Sequence, residues 1–284
     1  ARGLPRVADV RPADFDGDGD LDLIVAAFGW RKEGEILYLE NKTTDWAGPQ
    51  FVASTLLRKA GTIHLPIVDL NQDGRPDFVA LVSQEHEQII AFLNDGSGGF
   101  RQEILFSASD PAYGSTGIQL VDFDQDGDLD VLYTNGDSLD SHLIKPYHGV
   151  QWLENEGHFP FRPHFLAAMP GVHRAIATDL DGDGDLDVVA CAFLPNAHFS
   201  SSANLPLDSL MWLENTSGQF VRRSLELRQW DHASLDVADV DEDGHPDILV
   251  GNFTIDGIPG PIVLPPMPDW ITIWENHGAP ARSD

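Results

Sequence analysis

Five times along the chain, the pattern D-x-[DN]-x-D-G-x-x-D runs straight into a short apolar segment. The copies are "DFDGDGDLDLIVAAF" from Asp14, "DLNQDGRPDFVALV" from Asp69, "DFDQDGDLDVLYT" from Asp122, "DLDGDGDLDVVACAF" from Asp179 and "DVDEDGHPDILVGNF" from Asp239. Their starts lie 55, 53, 57 and 60 residues apart. Self-similarity at such a period constrains the fold more than any composition can, because each unit must bury its apolar face against its neighbours.

Companion phrases travel with the acidic one. "ILYLEN", "IIAFLND", "VQWLEN", "LMWLEN" and "ITIWEN" follow the five copies in order, and "FVASTLL", "FRQEILF", "FRPHFLA" and "FVRRSLEL" follow the first four of those. A short apolar approach such as "IHLPIV" or "GIQLV" precedes the acidic phrase. Each unit therefore reads as strand, acidic turn, strand, loop, strand, tight turn, strand, with segments rich in Val, Ile, Leu and aromatics bounded by Gly, Asn, Asp and Pro. No segment carries a 3.6-residue apolar period, so helix is expected to be scarce. Four strands per unit at this period predict an all-β chain, a β-propeller of four-stranded blades. The five repeats span about residues 1–60, 61–110, 111–168, 169–228 and 229–284 of one domain. The last unit ends after its third strand at "WENHG". The ring then either closes on five blades with one short, or takes blades from outside the chain. Trp152, Trp212 and Trp274 of the companion phrase are expected to fill space between blades.

Charge narrows the function. With 17 Lys and Arg against 46 Asp and Glu, the net charge is −29, which disfavours nucleic acid and anionic membrane surfaces as partners. Aromatics at 9% and frequent apolar runs argue against acidic disorder. One cysteine, Cys191, excludes an internal disulfide and any Cys-based zinc or haem-attachment motif. No apolar run is long enough for a helical membrane span. No signal peptide is legible, and an opening "ARGLPRV" without Met suits a processed or excised segment.

The acidic turn itself implies a cation. Carboxylates at positions 1, 3, 5 and 9 and a carbonyl at 7 offer hard oxygen ligands around one centre, and Gly at 6 permits the sharp turn, as in the first half of an EF-hand loop. Here the series closes on Asp at 9 and enters a strand instead of a helix. Two carboxylates about 5 Å apart repel by roughly 3 kcal/mol at an effective dielectric near 20. Several gathered at one point need a neutralising ion, and calcium suits the set better than magnesium or zinc. A single such turn reads better as a solvated hairpin; five, all with the Gly and the closing Asp, do not.

On these residues the chain resembles the FG-GAP/VCBS repeat family, the calcium-bearing propeller repeats found also in integrin α-subunit heads and many bacterial secreted proteins. The resemblance implies up to five structural Ca2+ ions and an extracellular or periplasmic location. By position, the first hairpin's ligands would be Asp14, Asp16, Asp18, Asp20 and Asp22, and the second's Asp69, Asn71, Asp73, Arg75 and Asp77. The third's would be Asp122, Asp124, Asp126, Asp128 and Asp130, and the fourth's Asp179, Asp181, Asp183, Asp185 and Asp187. The fifth's would be Asp239, Asp241, Asp243, His245 and Asp247. The fourth residue of each set acts through its carbonyl, so Arg75 and His245 are tolerated there. Asn71 removes one charge and makes the second site the weakest. Integrin-like propellers have seven blades, against five motifs here.

If the acidic turns share one face, the opposite face collects the approaches to the first strands and the loops between the second and third. Seven of the 11 histidines fall there: His64, His173 and His232 in approaches, and His86, His142, His148 and His198 in loops. They read as separate surface histidines, as a ligand or partner face, or as a transition-metal or acid–base site. No H-E-x-x-H, G-x-S-x-G or P-loop motif is present. The leading expectation is a non-enzymatic, calcium-stabilised binding or scaffold module whose loop face takes a protein or carbohydrate. A polysaccharide lyase or hydrolase using loop-face His, Tyr or Arg, and an extrinsic subunit of a larger membrane-associated complex, are the alternatives.

Overall fold

The computed structural model describes residues 3–30, 33–139, 141, 143–194, 205–229, 231–253 and 270–278, and His142 and His198 lie outside them. Among the described residues there are strands and turns and no helix. The apolar run behind each acidic phrase is a strand whose first residue is the closing aspartate: Asp22, Asp77, Asp130, Asp187 and Asp247 open the second strand of their copies.

The first copy forms a sheet in the order β1 (Val7–Ala13), β2 (Asp22–Trp30), β3 (Glu33–Asn41) and β4 (Phe51–Leu57). In the second copy the approach is broken into β5 (Thr62–His64) and β6 (Ile67–Val68), both paired with β7 (Asp77–Val82) and followed by β8 (Gln88–Asn94) and β9 (Phe100–Ser107). Pro66 lies in the break, where it supplies no N–H but its carbonyl accepts Val79 N at 3.0 Å. The third copy provides β10 (Ser115–Val121), β11 (Asp130–Asn135), β12 (Gly149–Glu154) and β13 (Arg162–Ala168). The fourth provides β14 (Val172–Thr178), β15 (Asp187–Ala192), β16 (Asp208–Thr216) and β17 (Gln219–Leu227). The fifth has three strands among the described residues, β18 (His232–Ala238), β19 (Asp247–Asn252) and β20 (Ile271–Trp274). Each sheet runs in sequence order, the meander that the companion phrases predict.

The chain divides into two compact units. One comprises residues 1–115, 125–131 and 153–163, and the other 116–124, 132–152 and 164–284. In the first, Phe15, Ile24, Ile36, Tyr38, Leu65, Phe78 and Phe92 build the core, with Phe78 and Phe92 stacked at 4.4 Å and Phe15 edge-on to Tyr38 at 6.1 Å. In the second, Phe123, Leu132, Val150, Met169, Val188 and Met211 form one cluster against which Trp152 packs. Ile176, Val189, Cys191, Leu210, Leu235 and Val250 form another, with Trp212 and Trp274 at its margin. β7, β11 and β15 are buried along their whole length, whereas β4, β9 and β17 alternate or lie largely exposed. A strand covered on both faces needs a continuous apolar run, and a strand at a sheet edge does not.

Candidate functional site

Each acidic hairpin folds onto its own carboxylates. The glycine at position 6 is left-handed in every copy (Gly19, Gly74, Gly127, Gly184 and Gly244, φ +84 to +100°), a conformation that strains any other residue. In the first hairpin Asp14 accepts Gly17 N at 2.8 Å and Gly19 N at 3.0 Å. In the fourth, Asp179 accepts the N–H groups of Gly182, Asp183 and Gly184 at 2.8, 3.1 and 3.1 Å. Position 3 accepts the N–H of position 5, and position 5 that of position 7, as in Asp181 to Asp183 (3.3 Å) and Asp183 to Asp185 (2.9 Å). These bonds turn the carboxylates inward together.

The closing aspartate is buried and acts as a staple. Asp187 accepts Leu180 N at 3.2 Å on one oxygen and Asn215 N at 2.7 Å on the other. Asp77 does the same with Leu70 N (3.1 Å) and Asn94 N (2.7 Å), and Asp247 with Val240 N (2.9 Å) and Asn276 N (2.8 Å). Asp22 holds Phe15 N, Asn41 N and the Tyr38 hydroxyl, and Asp130 holds Asn155 N. The partner is always the asparagine ending the companion phrase. Asn94 donates its amide to Phe15 O of the preceding copy at 2.9 Å, and Asn276 to Leu180 O at 2.8 Å. The recurrence of these five asparagines in the companion phrase is the sequence signal of the staple.

The hairpins differ in what faces them. Asp14, Asp16 and Asp18 bring carboxylate oxygens to within 4.8 Å of one another, as do Asp179, Asp181 and Asp183, and Asp239, Asp241 and Asp247. Burial, with neighbouring aspartates adding, pushes the Asp16 and Asp181 carboxyls above the usual range. Asp20 is shifted the same way, and its Oδ1 is buried with no hydrogen-bond partner among the described residues. Crowded, desolvated carboxylates with spare oxygen lone pairs fit a hard divalent cation such as calcium. Lys42, just after Asn41, stands 3.7 and 3.8 Å from Asp16 and Asp18.

The second hairpin carries its own cation. Arg75 Nη2 donates to Asp73 and its Nε to Asn94 O at 3.0 Å, while the Asn71 amide donates to the same Asp73 oxygen at 2.9 Å. Gln72 reaches Gly127 O at 3.0 Å and Asp128 at 3.2 Å, beside a cleft of about 340 Å³ lined also by Leu93, Arg101 and Phe159. In the third hairpin Asp126, Asp128 and Asp130 belong to the first unit and Asp122 and Asp124 to the second; Asp126 accepts Asp128 N at 2.9 Å.

At the far ends of the second strands lie the histidines. His232 is buried, with Nε2 2.5 Å from Glu226 and Nδ1 2.7 Å from Asn252. His148 is also buried, its Nδ1 3.4 Å from the Ser138 hydroxyl. His64 and His86 are half-buried; burial and then the Lys59 ammonium draw the His86 pKa down. His173 sits at a register shift between Val172 and Arg174, its ring 5.6 Å from Phe193, which in turn lies 5.9 Å from Phe253. Phe28, Phe193 and Phe253 each stand six residues past their closing aspartate. Arg6 caps Phe28, its guanidinium 4.4 Å from the ring, whereas Phe253 is 51% exposed.

Residues 69–133 match the model of the FG-GAP-like repeat. No curated protein matches the chain. Among solved structures, the chain is similar to an Agrocybe aegerita lectin described for specific recognition of non-reducing terminal N-acetylglucosamine, at 18% identity and TM-score 0.52, over 87% of this chain and 61% of that one. It is also similar to the V. cholerae biofilm matrix protein Bap1, at 19% identity and TM-score 0.49, over 97% of this chain and 38% of that one. The chain thus spans less than two thirds of either, and the first likeness is one of fold. The family match thus runs from the second acidic hairpin into the strand behind the third and covers those residues alone.

Proposed function

We propose that the chain is a calcium-stabilised β-propeller that closes on five blades and serves as a non-enzymatic binding module for carbohydrate, outside the cell or in the periplasm. Calcium is the cation that the crowded hairpins call for, and its part is structural: it holds the turn between the first two strands of a blade. Millimolar calcium outside cells is the regime in which such modest oxygen sites fill.

One observation carries the carbohydrate reading. Phe253, half exposed, rests on Phe193 and through it on His173, and the backbone carbonyl of exposed Trp270 accepts the N–H of Asn252, the residue before Phe253, at 2.9 Å. Asp231 and Gln229 border the aromatics, joined by a 3.1 Å hydrogen bond. Aromatic faces accept the C–H faces of a sugar ring while carboxylate and amide groups take its hydroxyls. The fold likeness to a lectin agrees with this assignment. The test is a glycan array in millimolar calcium. Wild type is expected to bind, and Phe253→Ala to lose at least about tenfold in affinity with an unchanged melting temperature. A folded, calcium-loaded chain that binds no glycan, or a Phe253→Ala variant equal to wild type, would refute it.

A further inference from the structure

We propose that the fifth hairpin holds a second, mixed nitrogen–oxygen site that takes a zinc-class divalent transition ion, built from Asp241, Asp243 and His277. Ligand atoms of these three residues lie within 4.8 Å of one another, and among the described residues this is the one such group to include a nitrogen donor. It overlaps the all-carboxylate group of Asp239, Asp241 and Asp247 at Asp241, and Asp243 too is among this hairpin's expected calcium ligands, so both of its carboxylates are shared with the calcium set and His277 is what distinguishes it.

The imidazole is placed by the fold. His277 follows Asn276, whose backbone N–H is stapled to buried Asp247 at 2.8 Å and whose amide donates to Pro246 O at 3.2 Å. The residue after this asparagine is therefore held beside the acidic turn. In the other copies that position is Lys42, Asp95, Glu156 and Thr216; none of them offers a nitrogen lone pair at neutral pH. The Nδ1 of His277 lies 3.7 Å from Asp243, and its Nε2 lies 3.6 Å from Glu275. A carboxylate on the far nitrogen favours the tautomer that leaves the near nitrogen free to ligate. Two carboxylate oxygens and one imidazole nitrogen suit zinc, which accepts nitrogen and oxygen at low coordination number, better than calcium, which asks for six to eight oxygens.

Such an ion would have a mechanical effect. Asp241 and Asp243 belong to the turn between β18 and β19, and His277 lies three residues beyond β20. Zinc would tie the third strand of this three-stranded sheet to the turn joining the other two.

The inference goes beyond the calcium reading while sharing its fifth hairpin, and the experiment separates them. The full chain, stripped with chelator and dialysed into 1 mM calcium (about the extracellular regime), is titrated with zinc by calorimetry, with bound calcium counted on the same samples. Wild type is expected to bind one zinc more tightly than its remaining histidines do. His277→Ala is expected to weaken that site at least about tenfold with no change in melting temperature in chelator, since the side chain is 69% exposed. His158→Ala is the control, because His158 is an equally exposed imidazole 3.6 Å from Glu156 in the third copy; it should leave the isotherm unchanged. Zinc binding equal in His277→Ala and wild type, or weakened equally by His158→Ala, would overturn the proposal. Zinc binding that depends on His277 in a chain that binds no calcium would uphold it and remove the calcium reading.

Discussion

The fourth hairpin gathers Asp179, Asp181 and Asp183 with oxygens within 4.8 Å, and among the described residues no basic side chain forms an ion pair with them, whereas the second, with Asp69, Asn71 and Asp73 at the same positions, folds Arg75 back onto Asp73. The two turns share their left-handed glycine, their inward N–H groups and their buried closing aspartate. They differ in how like charge is relieved: a tethered guanidinium and an amide do it in the second, whereas the fourth has only the proposed calcium to do it. If the fourth turn binds calcium as proposed, a repeat can keep the turn while replacing the ion, provided the staple beneath it stays.

The staple is where the two hairpins should behave alike, and it carries the largest expected effect. Asp187→Ala leaves Leu180 N and Asn215 N, both buried, without their acceptor; Asp77→Ala does the same to Leu70 N and Asn94 N. Each unmade bond costs about 1–3 kcal/mol, so either variant should lose about 2–6 kcal/mol of unfolding free energy. Urea denaturation in excess chelator measures this without any contribution from metal. If only Asp187→Ala destabilises, the two turns do not share a staple.

Calcium should then separate them. Saturation at a hundred times the dissociation constant stabilises by about 2.7 kcal/mol per site, so chelation should lower the melting temperature of wild type. Equilibrium dialysis should find Asp183→Asn one calcium short and Asp73→Asn unchanged. Arg75→Ala should cost about 0.2–1 kcal/mol in chelator, the range for an exposed ion pair, and should make the second hairpin responsive to calcium. A calcium count that falls with Asp73→Asn would dissolve the comparison.

Much of this was legible in the residues. β4 occupies "FVASTLL", and β9, β13 and β17 fall within a residue or two of their phrases, because apolar alternation bounded by Gly, Asn and Pro reports strands locally. The last copy's three strands were equally visible. What escaped depends on pairings between distant segments. Arg75 was read as a bare carbonyl donor, since position 7 says nothing about a side chain that turns toward Asn94, 19 residues on. The companion asparagines recur in every copy, yet their task appears only once the antiparallel register sets Asn41 N against Asp22. Place in the chain alone puts His148 and His232 with a loop face, whereas both are buried. Burial of His232 follows from Glu226 and Asn252 arriving on the neighbouring strands β17 and β19.

The first hairpin lies between the two extremes and gives the smallest and sharpest test. Lys42 approaches Asp16 and Asp18 at 3.7 and 3.8 Å, too far for hydrogen bonds, and its ammonium is paired more closely with Glu40. It would compete weakly with a bound cation where Arg75 would compete strongly, because it neither donates to the position-5 carboxylate nor anchors to a carbonyl. Lys42→Ala should therefore tighten calcium at the first hairpin by only about two- to fivefold, the scale of an exposed charge pair, and the gain should shrink as salt is raised. Calcium titrations of wild type and Lys42→Ala at low and high ionic strength read this directly. Equal affinities at low salt would mean that Arg75 excludes the ion by its hydrogen bonds to Asp73 and Asn94 and not by its charge, since a bare ammonium less than 4 Å away would then count for nothing.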